Sequence, residues 1–279
     1  MIHRVPHRRF SIALGVALSC VLLCLSFSTA WSHGAEHALI EAATKAIEEE
    51  PSRPELWLHR GELHREHQSF KKAAADYTKA ESLGADPRLL TLCRAELALD
   101  DSRPEACLQL LDHEALARDI DGTRMRAAAL FDLQKPEEAV RSLALALELD
   151  HESRPSHYLE LALAYQDLGQ TEDGLSILDE GIEALGSVTS LELEAVAFEQ
   201  QLKRFDAALA RLDRLETQFQ RKETLLVRRA TVLRASGREL EAEAAYTEAL
   251  LCIEALSPKL RKTDLVQQLE AEIHRALTK

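Results

Sequence analysis

The chain has 279 residues, of which 46% are hydrophobic and 5% aromatic, and it contains few glycines and prolines. Ala, Leu and Glu enter helices at little cost, and long alternating runs of β-branched residues do not occur, so the composition favours an all-α fold over a sheet. The formal net charge of −13 argues against a nucleic-acid partner, because an acidic surface repels the phosphate backbone.

Residues 1–32 have the layout of a secretory signal peptide. Arg4, Arg8 and Arg9 precede an almost wholly apolar run over residues 12–27, and small residues at 28–32 form triplets that signal peptidase reads. We expect cleavage and export to the periplasm or cell envelope. The alternative is an uncleaved signal that anchors the chain in the inner membrane. Removing residues 1–30 would leave 47 acidic residues against 31 Lys and Arg, a net charge of −16.

Residues 33–53 form a histidine-containing segment followed by a half-repeat helix. Cleavage after Ser32 would make His33 the first residue, and its amine and imidazole, with the imidazole of His37, would offer nitrogen ligands to copper or zinc. A metal-binding accessory protein is therefore the alternative function. The other interpretation is an exposed start of the chain that binds nothing.

Small residues recur with a period of 33 to 35 residues between Leu39 and Ala242, and related series begin at Ala46 and Gly61. Two helices can cross closely only over small side chains, so the period predicts antiparallel helix pairs stacked one on the next. We assign packing roles to Gly61, Ala73, Ala80, Ala95, Ala106, Ala127, Ala139, Ala146, Ala162, Gly174, Ala208, Ala230, Ala242 and Ala249.

This pattern resembles that of the tetratricopeptide repeat (TPR) family, which has Trp, Gly, Tyr, Ala, an aromatic residue, Ala and Pro at set offsets. The first full unit has Trp57, Gly61, Ala73, Tyr77 and Ala80 there. The resemblance implies an α-solenoid, a right-handed superhelix of stacked antiparallel helix pairs with an N-terminal half repeat and a C-terminal capping helix. The expected units are residues 54–87, 88–119, 120–154, 155–188, 189–222 and 223–256, and the expected cap is residues 257–279.

The resemblance also implies function: a non-catalytic scaffold, without a cofactor, that binds a protein or peptide on the concave face lined by the first helix of each unit. That face is acidic with apolar patches over its first two thirds and basic at its C-terminal end, which suits a basic and apolar segment. The alternative interpretation is that these charges form a solvated face that binds nothing. The predicted contact residues are Leu58, Glu62, Arg65, Glu66, Leu92, Glu96, Arg124, Phe131, Asp132, Leu159, Asp167, Arg228 and Arg234.

Catalytic and disulfide motifs are absent from the sequence. It contains no phosphate loop, no nucleophile elbow, no HExxH and no paired cysteine ligands, so we do not expect an enzyme. After the predicted signal peptide the cysteines are Cys93, Cys107 and Cys252, and their odd number argues against a disulfide framework. A single Cys93–Cys107 bridge and two buried thiols both stay open as interpretations.

Overall fold

The computed structural model describes residues 29–113 and 116–278, and it places fifteen helices and no strand in these residues. The predicted signal peptide lies outside the described residues, except that helix α1 already begins at Thr29. Among the described helices, none combines the length and the apolar character that a membrane span requires. The helices are α1 Thr29–Glu49, α2 Pro54–Glu66, α3 Phe70–Ser82, α4 Pro87–Asp100, α5 Pro104–Leu111, α6 Ile120–Asp132, α7 Pro136–Leu149, α8 Pro155–Asp167, α9 Thr171–Leu185, α10 Thr189–Gln201, α11 Phe205–Glu216, α12 Glu223–Ala235, α13 Glu239–Glu254, α14 Pro258–Arg261 and α15 Asp264–Leu277.

The helix starts follow from local chemistry. Several helices begin with Pro at their first position, where the missing N–H group costs nothing and the fixed φ angle suits a helix. An aspartate caps α4 and α6: the Asp86 carboxylate accepts a hydrogen bond of 2.9 Å from the Leu89 N–H, and Asp119 accepts one of 2.9 Å from the Gly122 N–H. These residues mark the starts of the helices that they precede.

The turn inside each helix pair holds one residue in the left-handed region, with φ between 55° and 81°. Gly169 and Gly237 occupy this position in two pairs, as glycine usually does at a helix end. The other four pairs have a non-glycine residue at this position, so glycine in the sequence does not indicate where these turns lie. They are Gln68, Ser102, Gln134 and Lys203.

The chain divides into two compact units, and the first ends at Ala85. In this unit α2 and α3 form a helix pair, and α1 packs on α2. Tyr77 is fully buried and its ring lies over Gly61: a Cβ atom at Gly61 would be 2.4 Å from Tyr77 Cε1. Only a glycine allows this approach of ring and helix.

The second unit, which begins at Asp86, contains the pairs α4/α5, α6/α7, α8/α9, α10/α11 and α12/α13, followed by α14 and α15. Helix α15 packs on α13 and buries Val266 and Ile273. Leu265 and Leu277, on the same helix, are 71% and 36% exposed. The predicted cap is also interrupted after α14.

Thirteen of the fourteen residues assigned to packing are buried, and Ala106 is half-buried. Gly174 shows why size matters at these positions. A Cβ atom there would lie 2.5 Å from Phe198 Cε1 and 2.7 Å from the backbone oxygen of Ala162. Leu39, which begins the periodic series, is instead 56% exposed.

Candidate interaction surface

Polar contacts join the first helices of successive repeats in the second unit. Arg124 Nη2 on α6 donates a hydrogen bond of 2.8 Å to Glu160 on α8, and Gln166 Nε2 on α8 donates one of 2.7 Å to Gln201 on α10. These hydrogen bonds place side chains of α6, α8 and α10 next to one another, and we take the exposed side chains of these helices as the candidate surface.

Two exposed carboxylates on this surface lie at helix ends. Asp132 is the last residue of α6 and Asp167 is the last residue of α8; both are exposed, and neither makes an ion pair with any residue that the structure describes. A negative charge at a helix C-terminus is unfavourable by roughly 0.3–1 kcal/mol, because the free carbonyl groups there are also negative. The two helix ends therefore combine carboxylate and carbonyl charge of the same sign.

Partly buried apolar side chains accompany these carboxylates. Phe131 precedes Asp132, while Leu159 and Leu163 lie on α8 and pack against the cores of the second unit. We call Phe131, Asp132, Leu159, Leu163 and Asp167 the acidic face. Its side chains combine negative charge with partly open apolar area, and they have no counter-ion among the described residues.

The structure places the remaining predicted contact residues of the second unit differently. Leu92 is only 7% exposed, and Glu96 is half-buried. Arg124 is neutralised by Glu160 at 2.8 Å, and Arg234 by Glu239 at 2.9 Å. Arg228 is exposed. The basic character that we expected at the C-terminal end of the face is thus reduced to one open guanidinium.

In the first unit, Leu58 is 8% exposed and offers little surface to a partner. Arg65 Nη2 lies 2.7 Å from Glu62 Oε2, so these two predicted residues neutralise each other. Glu66, at the end of α2, is exposed.

An ionic cluster in the second unit was missed by the sequence interpretation. Arg211 on α11 donates to Glu199 Oε1 at 2.8 Å, to Glu192 Oε2 at 3.2 Å and to Asp179 Oδ1 at 2.6 Å. The side chains of Glu192 and Glu199 are only 3% and 6% exposed. Burial raises the pKa of Glu199, an effect that Arg211 opposes. The signal was present: Glu192 and Glu199 stand where the repeat pattern has Trp and Tyr.

A second ionic cluster lies in the first unit, where one carboxylate, that of Asp76, lies beside two basic side chains. Arg60 makes a two-pronged pair with Asp76, at 2.8 and 2.7 Å. His64, twelve residues before Asp76, has its Nε2 atom 4.0 Å from that carboxylate and its Nδ1 atom buried without a hydrogen-bond partner. Burial lowers the pKa of His64, and Asp76 works in the opposite direction. The buried carboxylates of the two clusters, Glu192, Glu199 and Asp76, lie between packed helices rather than on a surface open to a ligand.

The described residues contain no group of three His, Cys, Asp or Glu side chains that could hold a metal ion, so the structure offers no site for the alternative metal-binding function there. The His37 ring stacks with that of His67, with centroids 6.4 Å apart, whereas the side chain of His33 lies outside the described residues. No disulfide bond joins Cys93 and Cys107 in the structure. Burial raises the pKa of Cys107 to about 12, which keeps that thiol protonated.

Comparison with known proteins supports the fold. No protein-family model matches the sequence, and no curated protein sequence matches it. The C-terminal part of a TPR repeat-containing protein from Cytophaga hutchinsonii superimposes with a TM-score of 0.60 and 12% identity, over 82% of this chain and 95% of that chain. A tetratricopeptide repeat protein from Parabacteroides merdae gives a TM-score of 0.46 and 18% identity, over 86% and 94%.

The first of these likenesses, together with the helix pairs described above, establishes the class of protein. The chain has the TPR fold, an all-α array of helix pairs, as the sequence resemblance predicted. At this level of identity the likeness extends to the fold alone.

Proposed function

We propose that this protein is a non-catalytic scaffold that binds a protein partner through the acidic face. The observation that carries the proposal is the pair of exposed carboxylates, Asp132 and Asp167, at equivalent positions of successive repeats and without counter-ions among the described residues. A partner with positive charges would neutralise them, and its apolar side chains would cover Phe131, Leu159 and Leu163. Electrostatic complementarity of this kind sets specificity and the rate of association.

The repeat geometry limits the form of the partner segment. Packed helices lie roughly 8–10 Å apart, and an extended chain advances about 3.3 Å per residue. A cation at every third residue of an extended segment would therefore meet Asp132 and then Asp167. Apolar residues between the cations would face the partly buried side chains.

We also propose that the protein works in the periplasm or cell envelope after loss of its signal peptide. The supporting features are the arginine-rich start, the apolar run of residues 12–27 and the small residues that follow. A mass spectrum of the protein from its own cell envelope tests this proposal. A chain starting near residue 31 or 33 supports it, whereas a full-length chain in the cytosol contradicts it.

Peptide binding tests the scaffold function. Fluorescence anisotropy would compare a labelled peptide repeating Lys-Leu-Ser with one repeating Glu-Leu-Ser. We expect only the basic peptide to bind, and the D132N/D167N variant to bind it about tenfold more weakly, since each lost exposed ion pair is worth up to about 1 kcal/mol.

The matched control is E105Q/E183Q, which removes two exposed carboxylates from α5 and α9, outside the acidic face. This variant should bind the basic peptide as the wild type does. If both variants lose affinity equally, overall charge and not the acidic face is responsible. If both peptides bind the wild type equally, the proposed function is wrong.

A further inference from the structure

A short basic segment near the C-terminus contrasts with the rest of this acidic chain. Residues 257–263 contain Lys259, Arg261 and Lys262 and no acid. All three side chains are exposed, and they make no ion pair with any described residue. Most other arginines in the described ranges do have an acidic partner, for example Arg204 with Glu172 and Arg238 with Glu241. We call residues 259–262 the basic turn.

A change in the conformation of the basic turn costs little free energy. It forms most of α14, a four-residue helix that buries no residue. A helix this short gains little stability from its own hydrogen bonds. Extending it would leave the packing of Val266 and Ile273, on the following α15, in place.

The composition of the basic turn matches what the acidic face requires. Lys259 and Lys262 are three residues apart, so in an extended chain their charges would be about 10 Å apart. This is close to the spacing expected between neighbouring helices, roughly 8–10 Å. Leu260 lies between them and is 38% exposed.

We propose that the basic turn of one copy binds the acidic face of a second copy, so that the protein associates head to tail. Within one chain the two surfaces belong to different repeats, α6 and α8 against the segment after α13, and no ion pair joins them. The pairing rests on the proposed function, since it uses the same face as the external partner. The two surfaces of this interface differ, so the contact is heterologous and builds either a ring or an open chain.

The consequence is competition between self-association and partner binding. A partner segment that occupies Asp132 and Asp167 would displace the basic turn of the neighbouring copy. Partner binding would therefore dissociate the assembly, because both ligands need the same carboxylates.

Sedimentation equilibrium with charge-reversal variants tests the proposal. The wild type should associate at an ionic strength of about 0.01 M and dissociate at about 1 M, where the screening length falls from about 30 Å to about 3 Å. Either K259E/R261E/K262E or D132K/D167K should weaken association at least tenfold. The variant that combines both sets restores opposite charges across the interface and should associate again.

The control variant, K45E/K71E/R141E, reverses two lysines and one arginine that are exposed on α1, α3 and α7. It has the same net charge as K259E/R261E/K262E and should associate as the wild type does. Far-UV circular dichroism would verify that every variant is folded.

The outcomes separate the two proposals. A wild type that is monomeric at low ionic strength while it binds the Lys-Leu-Ser peptide overturns the self-association alone. Association that survives K259E/R261E/K262E, or that the combined variant does not restore, also overturns it. A wild type that neither associates nor binds the Lys-Leu-Ser peptide overturns the acidic face as a docking surface, and the proposed function with it.

Discussion

Gly174→Ala tests whether the small residues of the repeat are required by packing. The new Cβ atom would lie 2.7 Å from the backbone oxygen of Ala162 on α8 and 2.5 Å from Phe198 Cε1 on α10. The phenyl ring can rotate, but the carbonyl oxygen belongs to a helix and cannot. Helix α9 must therefore move away from α8 to accept the methyl group.

Two opposing effects set the magnitude. Replacing a helical glycine by alanine gains about 1 kcal/mol of helix propensity. Overpacking of a close contact costs about 1–3 kcal/mol, and we take the upper end because the obstacle is backbone. The free energy of unfolding should fall by about 2 kcal/mol.

Gly122→Ala is the matched control, since the same methyl group would find its nearest neighbours at 3.5 Å, an ordinary contact distance. Gly122 lies in the first turn of α6, and its N–H group, which alanine retains, donates to Asp119. This variant should be up to about 1 kcal/mol more stable than the wild type.

Urea unfolding followed by far-UV circular dichroism measures the difference between the two variants, expected to be about 3 kcal/mol. Amide exchange in α8 and α9 would show where Gly174→Ala acts, because stability in a repeat array is partly local. Equal stability of the two alanine variants would refute the argument, since it would mean that α8 and α9 separate without cost.

Two further predictions concern the buried ionic clusters. Arg211→Met should lower the free energy of unfolding by about 3–5 kcal/mol, because Glu199 would stay buried without an ion pair and Glu192 would keep only Arg214, at 3.7 Å. Adding E192L/E199L should recover most of the loss. A urea titration showing a loss of less than about 1 kcal/mol for Arg211→Met would contradict this. His64→Leu should be as stable as the wild type or more so at pH 7, since an unpaired buried polar atom costs about 1–3 kcal/mol. Burial lowers the pKa of His64 below its unfolded value of about 6.5, so the wild type loses stability as the pH falls through that value, and the variant should lose less between pH 7 and pH 5. An identical pH dependence of the two proteins would show that His64 does not titrate differently on folding.

The fold was predictable because its cause is periodic. A close helix crossing needs a small side chain, and the crossing recurs once per repeat. Small residues such as Ala73, Ala139 and Ala208 therefore occur at a regular interval in the sequence. The proline and aspartate residues at helix starts are equally local, since Pro87 and Asp86 act on their own backbone. The left-handed conformation of the turn residues Gln68 and Lys203 was not predictable from their identity, because glycine usually occupies such positions.

The candidate surface was predictable only in part. Repeat register assigns Asp132 and Asp167 to the inner face, and the structure shows that both are exposed. Register cannot show which charges are already neutralised. Arg124 was expected to be free, but Glu160 reaches it from the next repeat, across 36 positions of sequence. Leu92 was expected to be open, but neighbouring side chains bury it.

The sequence by itself determined the helix pairs, their number and the positions where backbones approach, because these depend on side-chain size and on contacts at a fixed separation. Tertiary structure alone decided how polar groups pair between helices. Arg211 on α11 binds carboxylates from α9 and α10, and no single helix contains that arrangement. It likewise decided that Asp132, Asp167 and the basic turn make no ion pair with any described residue, because a charge stays unpaired only if every neighbouring element fails to reach it.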